Sequence, residues 1–281
     1  MALIRNISDT ARWVAFYRAL ETERPDALFR DPYARRLAGE RGEQIASSID
    51  FGEKNAWSFL ARTYLFDRFI TDQVQAGVDM VVNLAAGLDA RPYRMDLPSS
   101  LKWIEVDLPE ILDYKHEVLV NDTPVCSLDR VALDLVDVDG RRDLFAQLGK
   151  RATKVLIVCE GLLVYFTAAE VAALAEDLAA MSSFQYWVFD LASPGLLKLL
   201  QKKMPQLDDS GSPLKFGPPE GPGFFVPHGW KPQEVCSLMK TAAQLKRLPF
   251  LLRLISLLPS SNGPQGSRPW AAGCLMKRVP D

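Results

Sequence analysis

The sequence predicts an α/β protein built on a doubly wound, mostly parallel sheet, and three observations carry that prediction. From about residue 78, short apolar runs (DMVVNLA, LKWIEVD, RVALDL, KVLIVCE, FQYWVFDLA) alternate with helical stretches (PEILDYKHEVLV, RRDLFAQLG, AAEVAALAEDLAAM). Strands that are apolar throughout are buried on both faces, and strands joined through helices run parallel with right-handed crossovers. Acids also stand where several of these runs stop, at the sheet end where ligands bind.

Each element follows in order within a single domain. Residues 1–77 form an N-terminal helical cap. Ser8 or Asp9 can cap a helix carrying Trp13, Phe16, Tyr17 and Leu20, Asp31-Pro32 opens a second helix, and a third runs from Asn55 to near Gly77. Residues 78–203 hold the α/β core. Residues 204–232 contain seven prolines and five glycines, which cannot build a ladder, and read either as an ordered loop on the substrate side or as a plain surface excursion. Residues 233–281 complete the sheet, with a helix in PQEVCSLMKTAAQL and an antiparallel closing strand in AAGCLMKRV. The run PFLLRLISLLP is short, interrupted by Arg253 and bounded by prolines, so it reads as a packed helix and not a membrane anchor.

With 281 residues, 48% of them hydrophobic, the chain can bury a full core. Its 33 basic and 35 acidic residues nearly cancel and form no long basic run, which argues against nucleic acid or an anionic membrane as partner. Cys126, Cys159, Cys236 and Cys274 lie far apart, without a C-x-x-C pair or nearby histidine, and read as reduced thiols rather than metal ligands. No charged-then-apolar leader opens the sequence and no apolar run reaches the ~18 residues of a membrane span, so a soluble, cytoplasmic protein is expected.

The first apolar run delivers the turn LAAGLDARPYR, the second ends at Asp107, the third at Asp134-Leu135 and the fourth at Cys159-Glu160-Gly161. Asp107 lies twenty positions after Gly87, near the interval at which a carboxylate reaches both hydroxyls of a ribose. Asp107 also suits the start of the helix opening at Pro109, and the glycine turn upstream favours the ribose reading. A dinucleotide site would show G-x-G-x-x-G. Here a single glycine is followed by Asp89, whose charge repels a diphosphate, and a nucleoside joined to a zwitterionic or cationic tail fits better.

These residues carry a resemblance. VVNLAAGLDARPYR resembles the LGAGLDTR turn of the leucine carboxyl methyltransferase-like family of S-adenosylmethionine-dependent O-methyltransferases, which includes bacterial members associated with polyketide modification. ISDTARWVAFYRALETERPDALFRDPYARRLAG is similar to that family's N-terminal helical region, ARTYLFDRFI to its RTRxxDD helix, and WIEVDLPEILDYK to its second strand and helix. ALDL and CEGLLVYF resemble its adenine segment and its EGLLxYL stretch, so that the likeness covers most of Ile7 to Phe166.

The resemblance implies a class I methyltransferase (Rossmann-like) fold and S-adenosyl-L-methionine as cofactor. It also implies roles: Arg62 pairs with the cofactor carboxylate, Ala85 and Gly87 form the turn against the methionine part, and Asp107 with Leu108 holds the ribose. Asp134 and Leu135 flank the adenine, Glu160 lies near the ammonium and sulfonium, and Tyr165 walls the transfer chamber. Two positions depart from the pattern, Ala85 for the first glycine and Ala90 for the threonine. Alanine is strained at positive φ, so altered cofactor affinity is expected there.

In-line methyl transfer to a carboxylate needs no base, whereas a hydroxyl does, and His228 in VPHGW is the candidate. Phe224, Phe225 and Trp230 either line an acceptor pocket or pin the loop to the body. The function expected is O-methylation of a carboxylate or hydroxyl on a small molecule or peptide. The alternatives are a nicotinamide-dependent oxidoreductase and a non-catalytic S-adenosylmethionine-binding protein.

Overall fold

The computed structural model describes residues 7–205, 207, 213–257 and 268–280. Three helices come first, α1 (Ile7–Thr22), α2 (Ala34–Ser48) and α3 (Asp50–Gln75). The expected alternation follows: β1 (Met80–Leu84), α4 (Arg91–Arg94), β2 (Lys102–Asp107), α5 (Pro109–Val118), β3 (Ser127–Ala132), α6 (Val138–Gly149), β4 (Val155–Cys159), α7 (Ala168–Ala179), β5 (Phe184–Ala192) and α8 (Pro194–Lys203). A 3-10 segment (Gly221–His228) then leads to β6 (Trp230–Ser237), α9 (Leu238–Gln244), α10 (Phe250–Ser256) and β7 (Ala271–Arg278).

The seven strands form one sheet in the order β3-β2-β1-β4-β5-β7-β6. Every pair from β3 to β5 is parallel, and β7 lies antiparallel between β5 and β6. This is the doubly wound sheet with an antiparallel C-terminal strand that the sequence implies. Its switch point falls between β1 and β4, where crossovers leave toward opposite edges and open a crevice at the carboxyl ends.

The central strands are apolar throughout because both faces are covered. Val82, Leu84, Ile104, Ile157, Trp187 and Phe189 face one core, while Val81, Trp103, Leu156, Val158 and Val188 face another. Leu65, Phe66, Phe69 and Ile70 bring α3 onto that second face. At Gly273 a Cβ would stand 3.3 Å from Leu65 Cδ1, so the missing side chain lets α3 approach β7 closely. A third cluster, including Trp13, Tyr17, Leu37, Leu88 and Ile111, seats α1 and α2 over the turn after β1.

Four local readings need correction. Asp9 lies inside α1 and pairs with Arg41 (Oδ2–Nη2 2.9 Å), so it is not the cap; the Ser8 side chain is outside the described residues. The third helix begins at Asp50 and not at Asn55. The segment from Trp230 to Ser237 is β6 and not the start of a helix, which opens only at Leu238. As an edge strand β6 pairs with β7 alone, tolerates Pro232 at a register shift, and exposes the polar residues that mimic a helix surface. Finally, α10 forms but packs only in part: Leu252 lies against the core, whereas Phe250, Leu251, Leu254, Ile255 and Leu257 are exposed, and Pro259 falls outside the described residues. Among the described residues no helix is long and apolar enough to cross a membrane.

Candidate functional site

At the carboxyl ends of β1, β2, β4 and β5 a cavity of about 720 Å³ opens beneath α1, α3 and α8. Its polar end is assembled by the turns that leave the strands. After β1 the chain passes through Ala85 (φ 53°) and Gly87 (φ 50°), both in the left-handed region. Glycine adopts this freely, whereas alanine pays about 1–2 kcal/mol for its Cβ, and Ala85 accepts the strain because the fold holds the turn there. The anchors are visible: Ala86 N donates to Val106 O (3.2 Å), and Gly87 N to Asp107 Oδ2 (2.6 Å).

Asp107 also accepts from Leu108 N through Oδ1 (2.7 Å). It is the one carboxylate lining the cavity without a cationic partner among the described residues. Burial pushes its pKa up, against the two backbone N–H groups that lower it. Each oxygen keeps lone pairs beyond the N–H it already accepts, so the group can still take two hydroxyl protons.

The other acids are tied into one network. Arg62 on α3 donates through Nε to Glu160 (3.1 Å) and through Nη1 to Asp190 (3.2 Å). Arg91 reaches Asp67 (2.6 Å), Asp89 (2.9 Å) and Glu160 (2.8 Å) and is almost fully buried. Arg94 pairs with Asp67 (2.7 Å), and Asn83 Nδ2 donates to Asp89 (2.8 Å). Three guanidiniums thus face four carboxylates, leaving one negative charge beside the cavity.

The shifts follow from these contacts. Burial opposes the charge of Asp89, but Arg91 beside it, with Lys115 and Arg94 further off, holds its pKa down to about 2. Burial likewise opposes Glu160, and Arg91 and Arg62 outweigh it, so the carboxyl titrates below its ordinary range. Arg62 is raised because Asp190 and Glu160 overcome its desolvation. Tyr165 is raised by burial and stays protonated at neutral pH, as a wall and not a base.

Of the sequence-predicted site residues, Arg62, Ala85, Gly87, Asp107, Glu160 and Tyr165 line the cavity. Leu108, Asp134, Leu135 and His228 do not. Leu108 contributes its N–H to Asp107. The exposed Asp134 caps its own turn by accepting from Val136 N (3.0 Å), and Leu135 is buried in the core. Both follow Leu133, whose N–H is bonded to Asp107 O (3.0 Å).

His228 needs correction as a candidate base. Its Nδ1 meets Glu176 on α7 (2.9 Å) and its ring lies against Phe224, away from the cavity. Phe225 and Trp230 are fully buried against Trp187, and Trp230 Nε1 donates to Ala175 O (2.9 Å), so these aromatics pin the segment to the body. Its earlier part does line the cavity, through Met204, Leu207, Leu214 and Phe216.

Sequence reasoning missed Asp67, Asn83, Arg91 and Asp190. Asp190 had a signal: it is the lone acid in the apolar run of β5, near the carboxyl end of that strand. Ala90, which replaces the threonine, is a buried cap position at α4 whose lost hydroxyl is compensated by Asp89 Oδ1 accepting from Arg91 N (2.9 Å).

Comparisons with known proteins agree with this architecture. A Rhodococcus jostii protein named as a candidate S-adenosyl-L-methionine-dependent methyltransferase is 39% identical over 189 residues, covering 64% of each chain. A Frankia alni protein of the same description is 37% identical over 187 residues, covering 62% of this chain and 64% of its own. The chain therefore spans just under two thirds of the length of these curated relatives. Among solved structures, a DUF574 family protein from Streptomyces avermitilis superposes with a TM-score of 0.60 at 11% identity, covering 96% of this chain and 97% of its own. A candidate methyltransferase from Thermobifida fusca gives 0.56 at 14% identity, covering 99% and 96%. At these identities the structures speak for the fold alone, which is the class I methyltransferase fold. The sequence model described as leucine carboxyl methyltransferase matches residues 11–179, more than half of the chain, and the protein belongs to that family.

Proposed function

We propose that the protein is an S-adenosylmethionine-dependent O-methyltransferase acting on a carboxylate or hydroxyl of a small molecule or peptide. The observation that carries this reading is Asp107, a partly buried carboxylate with no ion-pair partner among the described residues, at the end of the second strand and hydrogen-bonded to Gly87 N. Such a group accepts both hydroxyls of a ribose, and hydrogen bonds to a charged acceptor contribute about 1.5–3 kcal/mol each.

The rest of the polar end fits the same ligand. Arg62 spends Nε and Nη1 on Glu160 and Asp190, which leaves its Nη2 edge for a carboxylate. The excess negative charge of the network complements a zwitterion that also carries a sulfonium. S-adenosylmethionine, when bound, supplies an activated methyl group.

The protein's own part is to orient and desolvate. Glu160, clamped by two arginines, stays ionised and stabilises positive charge near the reacting end. Tyr165 and Trp13 exclude water from the apolar wall. Arg62 and Asp107 would hold the cofactor with its methyl in line to the acceptor oxygen, so that the O–C bond would form as the C–S bond broke, with the electron pair left on sulfur. A carboxylate acceptor needs no proton transfer and suits a cavity that offers no histidine among its lining residues. The test is calorimetry with S-adenosylmethionine and S-adenosylhomocysteine, with mass spectrometry for an added methyl on candidate acids. Absence of binding by both nucleosides refutes the proposal.

A further inference from the structure

The cavity continues past its polar end, and its chemistry changes on the way. All four lining carboxylates, Asp89, Asp107, Glu160 and Asp190, belong to β2, to β5 or to the turns after β1 and β4. Beyond them the walls are apolar, with Leu196, Leu199 and Leu200 of α8 on one side and Leu252 and Ile255 of α10 on another. Two charged side chains line this far part, Lys240 on α9 and Arg268 just before β7.

Neither cation makes an ion pair among the described residues. The arginines of the polar end are, by contrast, all engaged: Arg18 by Asp31, Arg62 by Glu160 and Asp190, Arg91 by Asp67, Asp89 and Glu160. No Asp or Glu occurs between Val235 and Pro280, so that whole stretch offers no carboxylate to neutralise Lys240 or Arg268. A ligand that pairs with these two cations brings oxygen lone pairs and negative charge.

The spacing can be read from the sheet. Ser193 Oγ donates to Arg268 O (2.8 Å) and accepts from Trp270 N (3.0 Å), which fixes Arg268 beyond the carboxyl end of β5 beside β7. From β4, which presents Glu160, to β7 is two strand spacings, on the order of 10 Å.

We infer that the acceptor is an elongated apolar molecule carrying an anionic group at its end remote from the cofactor, held there by Lys240 and Arg268. The inference rests on the O-methyltransferase reading and names its substrate class. The near end presents the oxygen that is methylated, the apolar body fills the chamber, and the far anion keeps its charge at the mouth. An α,ω-dicarboxylate has this form. A neutral chain of equal length fills the same walls but leaves both cations unpaired.

The test saturates the full-length protein with S-adenosylhomocysteine and titrates dodecanedioate and dodecanediol by calorimetry. The expected result is that the diacid binds about tenfold or more tighter than the diol, and that Lys240→Met with Arg268→Met removes most of that preference. S-adenosylhomocysteine affinity is expected to be unchanged in the double variant, which also reports an intact fold. The inference is overturned if the diol binds as tightly as the diacid, if the diacid shows no saturable binding, or if the double variant keeps the full preference. Equal binding of diol and diacid by the unaltered protein overturns the inference even without the variant, and loss of the preference in the variant assigns it to the far end. Failure of the unaltered protein to bind S-adenosylhomocysteine would instead remove the methyltransferase reading.

Discussion

Replacing Asp107 by alanine removes the acceptor of Gly87 N and Leu108 N together with the proposed ribose ligand. Asp107 is partly exposed, so water replaces it at the two backbone donors and the fold loses little. The ligand loses two charge-assisted hydrogen bonds of about 1.5–3 kcal/mol each. Burial already raises the pKa of this carboxyl, so the desolvation it suffers offsets part of that gain and the lower end applies. The expected loss is therefore about 3 kcal/mol, or roughly a hundredfold in Kd for S-adenosylhomocysteine, read by calorimetry near neutral pH.

The pH dependence checks the same argument. The ionised carboxylate is the form that accepts both hydroxyls, so ligand binding lowers its pKa below the raised value of the free protein. Affinity is then full above that free-protein pKa and falls as the pH drops through it. Asp107→Ala abolishes that fall. A variant whose Kd stays within about threefold of the unaltered protein, a difference of ~0.7 kcal/mol, refutes the ribose assignment.

Two further predictions concern the charges around the site. Asp89, held to about 2 against 3.8, contributes about 2 kcal/mol at neutral pH. Because the folded pKa lies below the unfolded one, that stability is present above the unfolded value and is lost as the pH falls toward the folded one. Asp89→Asn is expected to lower the denaturant-measured stability by about 2 kcal/mol near pH 7 and to flatten its dependence in that acidic window. His228→Ala breaks the contact with Glu176, whose side chain is 64% exposed, and the ring contact with Phe224, and is expected to cost about 1 kcal/mol. Nucleoside affinity and methyl transfer should be unchanged in that variant, and a large loss of turnover would return His228 to the site.

Much of this protein was legible in its sequence because the relevant physics is local. Apolar runs such as MVVNL and VLIVC specify strands covered on both faces, and the interval between Gly87 and Asp107 spans the short α4 crossover between two neighbouring parallel strands, so both survive folding as read. Local patterning failed where an element owes its form to a neighbour. Pro232 to Ser237 reads as polar and helical, yet β7 makes it a strand, and α10 shows an apolar sequence that the fold leaves largely exposed.

The site divides along the same line. The acids at strand ends were visible as residues, but their partners were not, because Arg62 meets Glu160 and Asp190 across 98 and 128 positions of chain. Only the strand order, with β4 and β5 adjacent and α3 packed on their sheet, brings those charges within hydrogen-bond reach. The strain at Ala85 is decided there too: its φ of 53° is imposed by the bonds from Ala86 and Gly87 to the second strand, which hold an alanine in a conformation that its own preferences oppose. The sequence alone determined the alternation and the chemistry at its ends, since these need only neighbours along the chain. Tertiary structure decided which charges stay paired, which carboxylate faces the cavity without one, and where the unpaired cations stand, since those depend on distance in space.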